Sequence, residues 1–444
     1  MTILILCTYF PPDSAVAAVR PYMFAKYLTK WGHKVIVIRS GEIDHKVDDT
    51  YCEDEETFQI YSFLGAESDV ERIKRGESIQ KAEIRYKYAN LPAKVREILS
   101  KTKRTVLNPI DTIRELRTAK KNYHLQKKYI DKLVDDKIDV VFSTYGDLEN
   151  IFAGEYAAKV LHAKWVMDFR DPIVWYAEPY KWVWNWYAAK LQKKSLKKAD
   201  LYTCVSDGLR ETLIKDKPTA KVVTLYNGYE VDECDAFEPH KNDGVLSFCY
   251  TGQFYDLRVD ALELFIAALS DLVSNSRLDV QKIKFVYAGN GSQIVQRVLA
   301  KYHLEQILDD HGFVSRTEAK NLQYNSDVFL VLSWNTLKSQ GVLTGKFYEG
   351  IRAKKMILAV VAGDLPGSEL SILNDTFHYG YCYEGCQSDL QYNSFLDYIE
   401  SIYKEKNKSG DIEYKPMESL AQAFQYDSIV RKFEQLCVEL INEK

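Results

Sequence analysis

Three features of the chain predict two tandem α/β domains, each a doubly wound parallel sheet. Apolar runs of strand length alternate with segments of helical periodicity through both halves, and such alternation builds parallel sheets covered on both faces. The alternation pauses at residues 229 to 245, where "YEVDECDAFEPHKNDGV" is acidic, aperiodic and contains Pro239 and Gly244, the marks of a linker. At 444 residues the chain also exceeds what one hydrophobic core usually serves.

The first half opens with "ILILCTYF", a buried-strand pattern. "RPYMFAKYLTKWG" carries apolar residues at helical spacing and stops at Gly32, and "HKVIVIRS" returns as a strand, which makes a β-α-β unit. The rhythm resumes with strands at "IDVVFSTYG", "KWVMDF", "ADLYTCVS" and "KVVTLYNG". Helices are predicted between them through Ala153 to Leu161, up to Lys198 and over "GLRETLIK". Two insertions break the pattern: acid-rich residues 44 to 58, and a mostly helical excursion rich in lysine and arginine from 72 to 137.

After the linker come "LSFCYTG", a helix from Val259 to Val273, "IKFVYAGNG", a helix through Val298, "DVFLVLSW", the helix-opening "TGKFYEGIRAKK" and "MILAVVAG". Two such Rossmann-like domains imply a cleft where the carboxyl ends of both sheets face each other. In the tail, "YDSIVRKFEQLCVELINEK" aligns Ile429, Val430, Phe433, Leu436, Cys437, Leu440 and Ile441 in one helical stripe, so the last helix packs against something.

Composition narrows the function classes. A net charge of -4 and a pI near 6.1 give no global pull toward nucleic acid. The eight cysteines are scattered, several inside strand-like runs, as buried reduced thiols are. Cys382 and Cys386 lack a second ligand pair for zinc, and no metal is expected. The apolar start is too short for a signal peptide, and no stretch reaches the roughly 18 apolar residues of a membrane span. A cytoplasmic protein is expected.

The chemistry concentrates in "TGKFYEG", which follows a strand and a loop of small polar residues and opens a helix. A helix amino terminus offers unpaired N–H groups and a positive dipole end, which suit phosphate, and Lys346 adds a full charge there. Glu349 lies one turn on, on the same face, able to accept hydrogen bonds from the paired hydroxyls of a ribose. Thr344, Gly345, Lys346 and Glu349 together fit a nucleoside diphosphate. The plainer reading is a surface ion pair at i,i+3 spacing. "YTGQF" and "YAGNGS" end strands in glycine turns at Gly252 and Gly289, where backbone can approach a ligand closely. Ser315 and Glu318 have capping-box spacing, while Gly312 to Val314 would present backbone groups and the aromatic Phe313 to a base.

These segments, taken in order, resemble family 4 glycosyltransferases of the GT-B type over nearly the whole chain. The opening through "GHKVIVI", then "MDFRDP", "ADLYTCVSDGLRETL", "TLYNGYE", "YTGQFY", "YAGNGS", "HGFVSRTEA" and "GVLTGKFYEGIRAKKMIL" are similar to that family's successive signatures. The resemblance implies an acceptor-binding domain at 1–235, completed by the helix 424–444 crossing back to it, and a nucleotide-sugar-binding domain at 245–420. Glu349 matches the second glutamate of the family's paired motif, which holds the ribose, and Gly341 stands where the first would fall. Arg258 matches the family's diphosphate arginine, but Glu263 replaces its lysine, so Lys346 becomes the main charge for the leaving group. In the first loop "SAVAA" (Ser14 to Ala18) replaces the usual glycine pair.

The implied reaction moves a sugar from a nucleotide sugar, UDP by base rate, with retention and without metal or bound cofactor. Its acceptor would be a glycan or lipid-linked molecule in bacterial surface polysaccharide synthesis, such as capsule or lipopolysaccharide. Asp168, with Arg170 and Asp171, ends a first-domain strand and would orient the acceptor hydroxyl; a buried Asp–Arg structural pair is the alternative. A catalytically silent nucleotide-sugar-binding subunit, a nucleotide-sugar epimerase of the same architecture and a pyridoxal-phosphate phosphorylase are the other readings. Residues 175 to 198 hold Trp175, Trp182, Trp184 and Trp186 followed by Lys190, Lys193, Lys194, Lys197 and Lys198. That composition suits docking on the inner face of the plasma membrane, or tryptophans packed inside beneath a solvated lysine face.

Overall fold

The computed structural model describes residues 1–11, 13, 16–40, 59–62, 93–174, 181–230, 244–254 and 256–443. Ser14, Ala15, Trp175, the acid-rich insertion at 44–58 and the start of the basic excursion, 72–92, lie outside the described residues. The chain divides into two units, Met1–Tyr226 with Ile429–Lys444, and Asn227–Ser428.

The first unit runs β1 (Thr2–Cys7), α1 (Val16–Lys30), β2 (Lys34–Arg39), β3 (Gln59–Ser62), α2 (Ala93–Ile130), β4 (Val140–Tyr145), α3 (Leu148–Val160), β5 (Lys164–Phe169), α4 (Trp182–Ser195), β6 (Leu201–Cys204), α5 (Asp207–Asp216) and β7 (Val222–Thr224). Its seven strands stand in the order β3-β2-β1-β4-β5-β6-β7, all parallel, so the order reverses between β1 and β4. Strands β1, β4 and β5 are buried along nearly their whole length, which is why they read as unbroken apolar runs.

The second unit runs β8 (Leu246–Thr251), α6 (Asp256–Ser274), β9 (Ile283–Ala288), α7 (Ser292–Lys301), β10 (Leu308–Asp310), α8 (Arg316–Tyr324), β11 (Val328–Asn335), α9 (Gly345–Arg352), β12 (Met356–Gly363), α10 (Glu369–Phe377), β13 (Gly380–Glu384), α11 (Ser388–Ser409) and α12 (Glu418–Ala423). The sheet order β10-β9-β8-β11-β12-β13 is again wholly parallel, with its reversal between β8 and β11. At the amino end of this sheet a buried ion pair, Lys406 to Asp327 at 2.8 Å, ties α11 to β11. Asp327 also accepts from the Ser247 backbone and hydroxyl, so its charge is fully hydrogen-bonded.

The last helix, α13 (Tyr426–Asn442), belongs from Ile429 onward to the first unit. Phe433 packs 5.0 Å from the Phe24 ring and 4.9 Å from Phe142, and His33 meets Glu434 at 2.6 Å. Of the predicted stripe, Ile441 is the residue left exposed. Strands β3, β10 and β13 have no counterpart in the sequence reading. All three are sheet edges with short, mixed sequences, "QIYS", "LDD" and "GYCYE". The unit boundary also falls earlier than residue 235, after Tyr226. Tyr229 already pairs with the returning chain, its N–H donating to Phe424 O at 3.0 Å and its carbonyl accepting from Tyr426 N at 3.1 Å.

Candidate functional site

Helix α9 starts because Thr344 is extended, with φ -81° and ψ 156°, and the residues after it turn helical. Phe347, Tyr348 and Ile351 bury one face. Gly350 lets that face sit directly on the sheet, since a Cβ there would lie 2.8 Å from Ile357 Cγ1. Lys346 and Glu349 are left half-buried on the opposite face and form an ion pair at 2.6 Å. The Thr344 hydroxyl is buried without a hydrogen-bond partner among the described residues.

Glu349 is engaged at both oxygens. Lys346 holds Oε1, and Gln323 Nε2 donates to Oε2 at 2.7 Å. Gln323 also donates to Thr251 Oγ1 at 2.6 Å and accepts from Arg352 at 2.7 Å, so one buried amide links β8, α8 and α9. Burial pushes the Glu349 carboxyl up, but Lys346, Arg352 and the Gln323 hydrogen bond more than offset it. Its pKa ends below the ordinary glutamate value, and the group is a carboxylate.

The two predicted glycine turns meet this pair. Gly252 N donates to Ala288 O at 2.8 Å and Gly289 N to Gly312 O at 2.7 Å, stitching the ends of β8, β9 and β10. A Cβ on Gly289 would lie 2.0 Å from Gly252 O, and one on Gly252, whose φ is +147°, would meet Lys346 Cε at 3.1 Å. Only glycine fits the first position, and the lysine stem lies across the second. Phe313 follows Gly312 with its ring 67% exposed, and Val314 beside it is half-buried. Arg258 donates to Gln253 O at 3.2 Å and lies 5.9 Å from the Trp334 ring centre, next to the β8 turn. Gly341 has φ +68°, a conformation glutamate rarely adopts. Glu263 pairs with Lys301 at 2.7 Å, and Ser315 caps α8 by accepting from Glu318 N at 3.2 Å. The carboxyl end of the second sheet thus gathers every predicted site residue except Asp168.

Asp168 lies at the end of β5 in the first unit and is fully buried. Arg20 donates to both its oxygens at 3.0 and 2.8 Å, and Thr144 and Thr203 donate at 2.9 and 2.7 Å. Those four bonds satisfy its lone pairs, so the expectation that Asp168 orients a substrate hydroxyl is corrected: it is the buried Asp–Arg structural pair, with Arg20 as partner. Arg170 instead contacts Asp171 at 3.2 Å.

A second carboxylate at this end of the first sheet has no counterpart in the sequence reading. Glu149, in the first turn of α3, accepts from Ser40 Oγ at 2.9 Å and Asn122 at 3.2 Å. Burial and the neighbouring Asp147 push its pKa well above the usual carboxylate range. Burial pushes Asp147 up as well. Their signal in the sequence was "TYGDLEN", carboxylates directly after a strand-ending glycine; Gln323 had none, being one amide among the polar residues of α8.

Residues 17–233 match the family described as Glycosyltransferase Family 4. Over that stretch the chain is similar to family 4 glycosyltransferases. No curated protein sequence matches the chain significantly. The chain does share its fold with solved structures over its full length. Sucrose-phosphate synthase from Thermosynechococcus elongatus aligns at 12% identity with a TM-score of 0.62, covering 100% of both chains. HepE from Anabaena, solved with UDP and glucose, aligns at 12% with a TM-score of 0.59, covering 99% of this chain and 100% of its own. The lipopolysaccharide outer core galactosyltransferase WaaB aligns at 11% with a TM-score of 0.57 and 99% of each chain. The architecture is therefore GT-B, two Rossmann-like α/β units.

Proposed function

We propose that the protein is a family 4 glycosyltransferase that moves a sugar, with retention, from a UDP-sugar to a glycan or lipid-linked acceptor in surface polysaccharide assembly, without a metal or bound cofactor. The observation that carries the donor part is the Lys346–Glu349 pair at the start of α9, above Gly252. A diphosphate at that helix terminus would take the Lys346 ammonium and complete the Thr344 hydroxyl. Losing Lys346 frees Glu349 Oε1 for ribose hydroxyls while Gln323 retains Oε2. The ion pair is then the resting form of the grip. As the sugar departs, negative charge grows on the leaving phosphate, where Lys346, Arg258 and the N–H groups of α9 would stabilise it. Gly252 and Gly289 would give backbone access, and Phe313 with Val314 a surface for the base. HepE, solved with UDP, and WaaB, a lipopolysaccharide galactosyltransferase, support the nucleotide and acceptor classes.

A thermal-shift panel of UDP, GDP, TDP, CDP and AMP, with and without magnesium, tests this on the wild type and Lys346→Ala. A ligand at a hundred times its Kd stabilises by about 2.7 kcal/mol. Magnesium-independent stabilisation by UDP, lost in the variant, is the expected result; silence across the panel sinks the donor reading. Gly341, in place of a carboxylate, favours a second reading in which the site binds nucleotide sugar without turnover. Release of UDP from a UDP-sugar decides against it.

A further inference from the structure

Helices α2 and α4 of the first unit present one amphipathic surface. Trp182 Nε1 donates to Thr105 O at 3.4 Å, and Val183 N to Asn108 Oδ1 at 2.9 Å, so the amino turn of α4 is fastened to α2. On α2, Val106, Ile110 and Ile113 fall at i, i+4 and i+7, and on α4 Trp182 and Trp186 fall at i and i+4. All five are 51 to 68% exposed, although the fold had neighbouring positions such as Trp184 that it buries.

Continuing along the same faces, each stripe changes from apolar to basic. On α2 it passes to Arg117, Lys121, His124 and Lys128, on α4 to Lys190 and Lys193, and in the turn after α4 to Lys197, all exposed. Lys190 Nζ stands 3.8 Å from the Trp186 ring centre, at the junction of the two zones. Residues 105–130 and 182–198 hold eleven lysines and arginines against two carboxylates, Asp111 and Glu115, in a chain of net charge -4. Asp111 is within 3.5 Å of Arg114 on its own helix.

We infer that this surface docks the protein on an anionic lipid bilayer, with Val106, Ile110, Ile113, Trp182 and Trp186 entering the headgroup boundary and the basic zone lying over the charged headgroups. A bilayer is the occupant because apolar and cationic zones are continuous on one face, and such a face gains both apolar burial and electrostatic attraction at an anionic interface. No helix of the described residues is long and apolar enough to cross a membrane, so the contact is peripheral. The inference goes beyond the donor reading and does not depend on it.

The full-length protein is floated with vesicles of phosphatidylcholine alone or with phosphatidylglycerol, at low and high salt. Three proteins are compared: wild type, Ile110→Ser with Trp186→Ser, and Arg117→Gln with Lys121→Gln. The altered side chains are exposed, and unchanged melting temperatures verify that the variants fold. The wild type is expected to float only with the phosphatidylglycerol vesicles, less so at high salt. The charge variant should bind about fivefold more weakly per charge removed. The apolar variant should lose about tenfold or more. Wild type that stays unbound, binds both vesicles equally, or binds no better than the variants overturns the inference. So does light scattering showing a wild-type dimer that Ile110→Ser dissolves, which would assign the face to a second copy.

Discussion

Glu149 and Glu349 occupy matching places in the two sheets. Each lies in the helix that follows the first strand beyond the reversal of strand order, α3 after β4 and α9 after β11. Burial acts on both, yet their acidities move in opposite directions. Glu349 has Lys346 three residues before it and Arg352 three after; Glu149 has only neutral donors, Ser40 and Asn122, and the like charge of Asp147. A cation within one helical turn therefore decides whether the pKa at this position falls or rises. The second sheet end sets a carboxylate beside fixed cations, while the first buries its acids among neutral donors or, at Asp168, saturates them with hydrogen bonds.

Four substitutions would break or sharpen that contrast. The largest effect belongs to the saturated edge of the first sheet: Arg20→Met strands Asp168 as an uncompensated buried charge and should cost about 3–5 kcal/mol in urea unfolding. Lys346→Ala should lower sugar-transfer turnover by about 10²–10³-fold. The same variant should cost only about 1 kcal/mol of stability, because Gln323 and Arg352 still compensate Glu349; unchanged turnover would make the pair an idle surface contact. Glu349→Gln should weaken UDP binding by about tenfold in calorimetry, the order of one charge-assisted hydrogen bond. Because its folded pKa is depressed, the wild-type Glu349 contributes stability that is present above the unfolded value of about 4.3 and fades as pH falls through the folded value. The variant should lose that acid-range dependence.

Glu149→Gln should act in the opposite sense and least. With its folded pKa raised, the folded state binds the proton more tightly, so wild-type stability declines as pH climbs from about 4.3 through the folded value. Removing the carboxyl should flatten that decline, leaving the variant relatively more stable above neutrality. A wild type with no such decline would mean Glu149 is ionised in the fold.

What could be read from the sequence follows from how local each signal is. The central strands were legible because burial on both faces leaves continuous apolar runs, and the edge strands β3, β10 and β13 were not because half their surface is free to be polar. "TGKFYEG" was legible because a cap, a lysine and a glutamate one turn apart are all set by one helix. Asp168 was misjudged because its partner, Arg20, lies 148 residues away, and nothing nearby reveals four donors converging on it. Gln323 escaped for the same reason: only tertiary packing tells a buried amide linking three elements from an ordinary polar residue on α8.

The packing of Phe433 against Phe24 and Phe142 bears on how the chain is made. The ribosome releases residues 1–226 first, yet the unit they begin cannot close until Ile429–Lys444 emerge, after the whole of Asn227–Ser428. The later-made unit is contiguous and can complete itself first, while the earlier one waits with an aromatic surface uncovered. Truncation within the last sixteen residues should therefore send the newborn protein toward chaperones and aggregates, while Asn227–Ser428 can still fold.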